Sequence, residues 1–266
     1  MPERLQEGKY YGHDVKSREN EHFKFSLTSY EPNGIAANHY HENSYLSILV
    51  QGRYLESNKR EKIEIEPGNI LFRPKGYDHS NAFRADGGRC FNIEFKKDWE
   101  YAMDPLRTLP ASLQLYRTGS HPSLYKLLYG FFQDGHDDAG FELICDWLIQ
   151  INGDLSWGDR LPWIPKVKAI LENELDRFHT IQTLSERVFV HPIYLSGAFK
   201  KQTGMTVGEY QLQVKLENTV GLLLKTALSI KDIAYRSGFF DNAHFCRSFK
   251  SRYRVSPGKF RQMIKS

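Results

Sequence analysis

The sequence lacks the features of several common protein classes. Its 266 residues include only three cysteines, and no uninterrupted apolar run approaches the length of about 18 residues typical of a membrane helix. Cys90, Cys145 and Cys246 are isolated from one another, which argues against a disulfide framework or a zinc cluster and predicts three buried thiols. The N-terminal residues are too charged for a secretory signal, so we expect a cytoplasmic protein with no membrane partner.

The remaining composition is that of a globular chain, with 40% apolar and 14% aromatic residues, and the length suits about two domains. The net charge of +4 is unevenly divided. Residues 1–159 carry 18 Lys/Arg and 24 Asp/Glu, whereas residues 160–266 carry 18 and 8. A basic C-terminal half is suited to phosphate groups, although small domains often reach this charge without binding nucleic acid.

The N-terminal half changes from a strand pattern to a helical one. Short β-rich segments separated by Gly and Pro predict a small antiparallel sandwich or barrel over about 20–97. Leucines and aromatics then recur at helical spacing and predict an antiparallel helix pair over about 121–151. We expect these elements to form one domain, 1–155, which forms a homodimer through the apolar faces of the helix pair. Residues 156–165, rich in Gly and Pro, are predicted to be a linker.

The C-terminal half contains an internal repeat. The segment that begins at Ile181 recurs from Ile230 at an offset of 49, which becomes 50 after one inserted residue. Both copies predict a helix-turn-helix, at about 181–204 and 230–254, within an all-α domain at 166–266. A long helix at 207–224 would hold the two probe helices about one turn of duplex DNA apart, roughly 34 Å. The side chains expected to face DNA are Ile193, Ser196, Gly197, Lys200 and Lys201 in the first probe, and Asn242, Ala243, His244, Arg247 and Lys250 in the second.

These C-terminal residues resemble the AraC family of bacterial transcription regulators. The signature comprises Ile-Ala at 233–234, Gly-Phe at 238–239, Phe-x-Arg-x-Phe-Lys at 245–250 and Ser-Pro at 256–257. The resemblance implies a sequence-specific regulator of double-stranded DNA, an activator, which can have RNA polymerase as a further partner. Phe189 stands where the family usually has Gly, and Gly197 stands where a polar or basic residue is common. We therefore expect the first probe to make fewer base contacts than the second.

Two N-terminal motifs resemble the cupin barrel, namely Gly34-x4-His39-x-His41 and Gly68-x5-Pro74-x-Gly76-x2-His79. In metal-binding cupins these His residues and a Glu bind a divalent ion, but Tyr45 and Leu46 stand where that Glu should be. The resemblance implies an α+β protein whose cupin-like barrel is a sensor. We expect no metal, no cofactor and no catalytic residue, and an effector pocket with walls from Phe25, Leu49 and Phe72. The polar residues predicted to line it are His39, His41, Tyr45, Arg73, His79 and Asn81.

Three functions remain open. The first is a regulator controlled by a small molecule in the barrel, for which imidazole and guanidinium groups suit a polyol, a sugar or a small acid. The second is a metal-dependent cupin enzyme fused to a DNA-binding domain, because three imidazoles alone can hold zinc. The third is an effector-independent regulator whose N-terminal domain only dimerises or binds a protein, and a barrel filled with side chains would favour it.

Overall fold

A computed structural model describes residues 2–97, 99, 108–133, 138–152 and 161–265. The chain divides into two compact units, one formed by residues 1–154 and 259–266 and the other by residues 155–258. Residues 156–160 of the predicted linker lie outside the described residues, so the predicted domain boundary stays a prediction. In the part of the chain that the structure covers, every helix is too short or too polar to span a bilayer.

The first unit is built on one curled, mainly antiparallel sheet. Its two longest strands, β5 and β8, pair along most of their lengths and carry the other strands at their flanks. The path through the sheet runs β1-β4-β8-β5-β7-β9, with β3 also paired to β8, β2 to β3 and β6 to β5. The strands are β1 (Glu3–Leu5), β2 (His13–Glu19), β3 (Phe23–Tyr30), β4 (Ile35–His41), β5 (Tyr45–Ser57), β6 (Lys62–Ile65), β7 (Ile70–Arg73), β8 (His79–Phe95) and β9 (Gln114–Tyr116).

The β5–β8 pair bends at a glycine contact. The register of the pair shifts twice, between Leu49 and Gln51 and again between Gly52 and Tyr54. Gly52 has φ +80°, and a Cβ there would lie 2.0 Å from the Gly87 carbonyl oxygen. Only glycine allows the two backbones to approach this closely in that conformation. The shifts therefore change which residues of β5 face the inside of the curled sheet.

The predicted barrel limits of about 20–97 were too narrow. β1 and β2 precede residue 20, and β9 follows residue 97. The sequence of β2, HDVKSRE, is polar on both faces and its residues are exposed or half-buried. A strand of this kind shows no apolar alternation, so the sequence could not reveal it.

Two helices follow the sheet, α1 (Pro122–Phe132) and α2 (Asp138–Asn152), as the periodicity predicts. Their apolar residues pack inside the unit. Phe131 lies 5.0 Å from Phe91 between ring centroids, and Trp147 lies 6.0 Å from Phe72. Leu124, Leu128, Ile144 and Leu148 are at most 1% exposed. The prediction that these apolar faces form a dimer interface was therefore wrong, because the sheet already covers them.

The second unit is helical: α3 (Trp163–Asn173), α4 (Ile181–Val188), α5 (Pro192–Thr203), α6 (Val207–Lys225), α7 (Ile230–Arg236) and α8 (Asn242–Tyr253). The last helix, α9 (Pro257–Lys265), falls mostly within residues 259–266, which belong to the first unit. Side-chain caps set several of these starts. Thr180, Thr206, Ser229 and Asp241 each accept a hydrogen bond from a backbone N–H in the first turn. Such a cap contributes about 1 kcal/mol.

Two further expectations need correction. The predicted linker ends too late, because Trp163 and Ile164 belong to α3 and are buried against the first helix-turn-helix. Of the three cysteines only Cys90 is buried, whereas Cys145 and Cys246 are half-exposed. Cys90 lies on a central strand, whereas Cys145 and Cys246 lie at the sides of helices. The residue type alone does not show which of these positions is buried.

Candidate nucleic-acid interface and sheet interior

The first recognition helix, α5, is fixed by its inner face. Leu195 and Phe199 lie one turn apart and are fully buried, and the Phe199 ring packs 5.6 Å from that of Tyr210 on α6. Gly204, with φ +73°, ends the helix as the sequence predicts. The opposite face carries the predicted contact residues. Ile193, Gly197, Lys200 and Lys201 are exposed, and Ser196 is half-buried.

The second recognition helix, α8, is built in the same way. Phe245 and Phe249 are fully buried, and truncation of either ring to Ala would cost about 3–5 kcal/mol. The Asp241 carboxylate accepts a 2.6 Å hydrogen bond from the His244 N–H and fixes the start of the helix. All five predicted contact residues are exposed: Asn242, Ala243, His244, Arg247 and Lys250.

The long helix α6 packs against both motifs. On the side of the first motif, Val207 and Val214 join the buried cluster that includes Leu195. On the side of the second, Lys215 Nζ donates a 2.8 Å hydrogen bond to the Gly238 carbonyl oxygen. Glu217, which is 3% exposed, lies 3.5 Å from the Arg252 guanidinium. The two recognition helices are thus held by one rigid element.

Three exposed aromatic side chains near these helices were not predicted. Phe189 is 94% exposed in the turn before α5, Phe240 is 93% exposed before α8, and Tyr194 is 55% exposed on α5. Phe189 also has φ +57°, a left-handed conformation that is costly for a residue with a Cβ. The sequence did contain a signal, because Phe189 and Phe240 precede the starts of the two probe helices.

The interior of the curled sheet gathers all six residues predicted for an effector pocket. His39, His41, Arg73 and His79 are at most 4% exposed, and Tyr45 and Asn81 are 5% and 9% exposed. Five of the six line one cavity, and His79 contacts it through a 3.1 Å hydrogen bond between its Nε2 and the Tyr45 hydroxyl. The free volume is about 20 Å³. That is room for about one water molecule.

A buried ion pair fills much of this interior. Arg73 Nε donates to Glu56 Oε1 at 2.9 Å, and Arg73 Nη2 donates to Glu56 Oε2 at 2.6 Å. Asn81 Nδ2 donates to the same Oε2 at 2.6 Å, and the Tyr54 hydroxyl accepts from Arg73 Nη2 at 3.0 Å. Burial disfavours the charged guanidinium, but Glu56 raises the pKa of Arg73 above its usual value, so Arg73 is charged.

The partner Glu56 was missed because the bulges reverse the alternation of β5. Tyr45 and Ser47 face the cavity at one end, whereas Tyr54 and Glu56 face inward at the other, after the register shifts. The predicted walls were wrong for a related reason. Phe72 lies on the face opposite Arg73 and packs on Trp147. Phe25 stacks on Phe91, which contacts α1. Leu49 is not among the lining residues, and it packs behind Tyr54, Phe83 and Cys90, which do line the cavity.

The three histidines form a cluster of neutral imidazoles. Nδ1 of His39 donates to the Ala37 carbonyl oxygen at 2.6 Å, and Nδ1 of His79 donates to that of Tyr77 at 3.0 Å. Burial, then the neighbouring His79, His39 and Arg73, lowers the pKa of His41 to about 2. Burial also lowers the pKa of His39 and, with Arg73, that of His79. Neutral imidazole is the form that binds a metal.

This donor set fits a divalent cation in part. One nitrogen from each ring lies within 4.8 Å of the other two. His41 Nδ1 has no hydrogen-bond partner among the described residues. The backbone bond of His39 Nδ1 leaves its Nε2 available, a pattern common in metal-bound histidines. Against a cation, the Tyr45 hydroxyl occupies Nε2 of His79, and the described residues of this cluster include no carboxylate like the Glu of metal-binding cupins.

Comparisons with known proteins identify a helix-turn-helix domain in the helical unit. Residues 184–263 match the family model described as a helix-turn-helix domain. The chain is 30% identical over 257 residues to an uncharacterised helix-turn-helix transcriptional regulator of Haemophilus influenzae, covering 82% of this chain and 85% of that protein. It is also 30% identical over 104 residues to the Msm operon regulatory protein of Streptococcus mutans, covering 39% of this chain.

That second match spans only 37% of the length of the Msm regulator. Among solved structures, the chain is similar to an apo form of ToxT from Vibrio cholerae, with 15% identity and a TM-score of 0.40. The match covers 92% of this chain and 99% of that one.

Proposed function

This chain belongs to the AraC family of helix-turn-helix transcription regulators, and we propose that it binds a specific duplex DNA sequence and activates transcription. The observation that carries the proposal is the pair of recognition helices. Each is anchored by buried rings and presents exposed residues on the opposite face, and α6 packs against both motifs.

The second recognition helix supplies the stronger readout. Arg247 can donate two hydrogen bonds to the O6 and N7 atoms of guanine, and Asn242 can pair with adenine. Lys250 is suited to a phosphate oxygen, which adds affinity without sequence preference. Because residues 160–266 carry 18 basic and 8 acidic side chains, we expect DNA affinity to fall steeply with salt.

The test is selection of a binding site from random duplexes with the full chain, followed by affinity measurements on the selected duplex. Arg247→Ala should lower that affinity by about five- to 150-fold, corresponding to about 1–3 kcal/mol for a bidentate base contact. Lys59→Ala is the matched control, since it removes one exposed positive charge from the first unit. Equal, small effects of both variants, or failure to select any sequence, would contradict the proposal.

We further propose that a small polar molecule bound inside the curled sheet controls this activity. Two buried donor or acceptor atoms that face the interior, Arg73 Nη1 and His41 Nδ1, have no partner in the described residues. A ligand hydroxyl or carboxylate could satisfy both atoms. Because the cavity holds only about one water molecule, a larger effector requires its lining side chains to move.

A thermal-shift panel of polyols, sugars and small carboxylic acids tests this control. An effector present at a hundred times its Kd stabilises its binding state by about 2.7 kcal/mol. The same compound should change DNA affinity, and His41→Gln should weaken both effects. If no compound shifts the melting temperature, the effector-independent regulator is the better proposal.

A metal site is the second candidate function, and the three neutral imidazoles favour it. His39, His41 and His79 would hold the ion, and zinc bound by three imidazoles keeps a position for a water or substrate oxygen. Metal analysis of the purified chain, with His79→Ala as the comparison, distinguishes a metal site from a pocket for a small polar molecule. Stoichiometric zinc that disappears in the variant would support the metal site, and its absence from both would exclude it.

We also propose that the chain dimerises through the outer side of α1 and α2. Ile149 is 49% exposed on this side, next to other exposed residues of α2. A dimer interface buries far more area than one side chain offers, so the polar residues around Ile149 would form the rim of the contact. Sedimentation of the wild type and of Ile149→Lys tests it. A monomer in both cases would remove the dimer from the mechanism.

A further inference from the structure

The two recognition helices present equivalent positions with different chemistry. Ile193, Gly197 and Lys200 lie at i, i+4 and i+7 on the exposed face of α5. At an offset of 50, the same positions of α8 are Ala243, Arg247 and Lys250. The lysine that would meet phosphate is the same in both helices, but the central position is glycine in one and arginine in the other.

Gly197 has no role in the packing of the protein itself. A Cβ built at this position meets nothing within 4 Å, so alanine would fit without any shift. An interior glycine lowers helix stability by about 1 kcal/mol relative to alanine. The fold therefore does not require glycine here. What glycine does provide is a bare strip of backbone that another surface can approach closely.

The residues around Gly197 are apolar and exposed. Ile193, one turn before it, is 78% exposed, and Phe189 and Tyr194 add two further exposed rings at the same end of the helix. Lys200 and Lys201 follow at the other end. An apolar patch flanked by lysines on a recognition helix suits the major groove, where the thymine C5-methyl is the apolar group that side chains can contact.

We propose that α5 reads thymine methyl groups by apolar contact, with Ile193 as the contacting side chain and Gly197 as the point of close approach. The second helix reads hydrogen-bonding edges through Arg247. The operator would therefore have two unlike halves, one rich in A·T pairs under α5 and one containing guanine under α8. This inference rests on the proposed DNA-binding function and adds the chemistry that each half-site must have.

The first experiment uses duplexes selected by the full chain and replaces single thymines by uracil. This change removes only the C5-methyl and keeps every hydrogen-bonding group. Ile193→Ala and Arg247→Ala first assign the half-sites, because each variant loses preference only where its helix contacts the bases. Within the α5 half-site, one uracil should lower wild-type affinity about fourfold, the factor that corresponds to ~0.8 kcal/mol for a buried methyl group.

The same uracil should have almost no effect on Ile193→Ala, because the contact is already lost. Arg247→Ala is the matched control, and it should keep the fourfold effect although its overall affinity is lower. If uracil leaves wild-type affinity unchanged at every position of the α5 half-site, methyl readout is wrong while DNA binding stands. If no duplex is selected at all, the proposed function itself fails and this inference fails with it.

Gly197→Arg provides an independent gain-of-preference test. It gives α5 the same central residue as α8, and the open space at Gly197 shows that the fold can accommodate it. Selection with this variant should replace an A·T pair of the α5 half-site by a guanine-containing pair. An unchanged selected sequence, with the variant folded and α8 preference intact, would show that this face of α5 does not reach the bases.

Discussion

Replacement of Glu56 by glutamine should destabilise the first unit by about 3 kcal/mol. The change keeps the shape of the side chain and an oxygen that can accept a hydrogen bond, but it removes the negative charge. Arg73 is 3% exposed and Glu56 is 1% exposed, so the guanidinium would be left buried without its counter-charge. Loss of one partner from a buried pair costs about 3–5 kcal/mol.

The surroundings of Arg73 place the expected cost near the lower end. The Tyr54 hydroxyl still accepts from Nη2 at 3.0 Å, and the Tyr45 ring lies 5.0 Å from the guanidinium carbon. Both contacts remain in the variant, and a desolvated cation–π contact is worth about 2 kcal/mol, so the guanidinium is not left without stabilising partners. Asn81 can continue to donate to the glutamine oxygen. The remaining cost is therefore mainly electrostatic.

Cys90 provides a reporter of opening in this sheet. It is 4% exposed, and burial raises the pKa of its thiol to about 12, so the native state should react slowly with thiol reagents. In a Cys145→Ser, Cys246→Ser background, Glu56→Gln should accelerate labelling of Cys90 more than a hundredfold, which corresponds to about 3 kcal/mol.

The control is Glu64→Gln, which breaks the Glu64–Arg84 pair on the surface. These side chains are 38% and 48% exposed, so solvent screens the pair and its loss should have little effect on stability. Similar labelling rates for the two variants would refute the argument that burial makes the Glu56–Arg73 charges interdependent.

Four further predictions concern the backbone, the pH dependence of stability and the salt dependence of DNA binding. Phe189→Gly should raise the free energy of unfolding of the second unit by about 0.5–1 kcal/mol, because it relieves a left-handed backbone. Gly238→Ala, at φ +71°, should lower the same free energy by more than about 2 kcal/mol, since the new Cβ would lie 2.1 Å from a backbone oxygen. Thermal melts in which the Phe189→Gly and Gly238→Ala variants unfold at the same temperature would contradict both predictions. Because the pKa of His41 is depressed in the folded state, only the unfolded state gains a proton at this ring below about pH 6.5. The free energy of unfolding should therefore decrease as the pH is lowered, by about 1.2 kcal/mol for this group between pH 7 and 5.5. His41→Gln should flatten that dependence in metal-free protein, and an unchanged slope would show that the ring is not buried neutral. Lys250→Ala should reduce the salt slope of DNA affinity by about one without changing the selected sequence, and a changed sequence would reassign this side chain to base contact.

The helical half could be predicted closely because its turns carry local signals. Gly204 ends α5 and Asp241 caps the start of α8, and the two pairs of helices cover residues 181–203 and 230–253, against about 181–204 and 230–254 from the sequence. The inner faces followed from residues one turn apart, as with Phe245 and Phe249. The exposure of the contact residues follows directly from this periodicity. What they bind stays a prediction.

The sheet interior could be predicted only in part. The two His motifs and Arg73 correctly marked side chains that come together, because strand alternation places them on one face. Glu56 escaped prediction because the register shifts around Gly52 reverse that alternation. A shift of one residue in a strand exchanges its two faces, and the sequence does not mark where it occurs. Arg73 was therefore predicted as a ligand group, whereas it lies paired inside the protein.

The attachment of α6 to both motifs fixes the distance and the angle between the two recognition helices. Lys215 fixes one motif and Val214 the other, only one residue apart on the same helix. One base pair inserted between the two half-sites would move the second by 3.4 Å and rotate it by about 35° around the duplex. A rigid helix cannot follow that screw motion. Promoters that use this protein should therefore tolerate base changes between the half-sites far better than a single insertion.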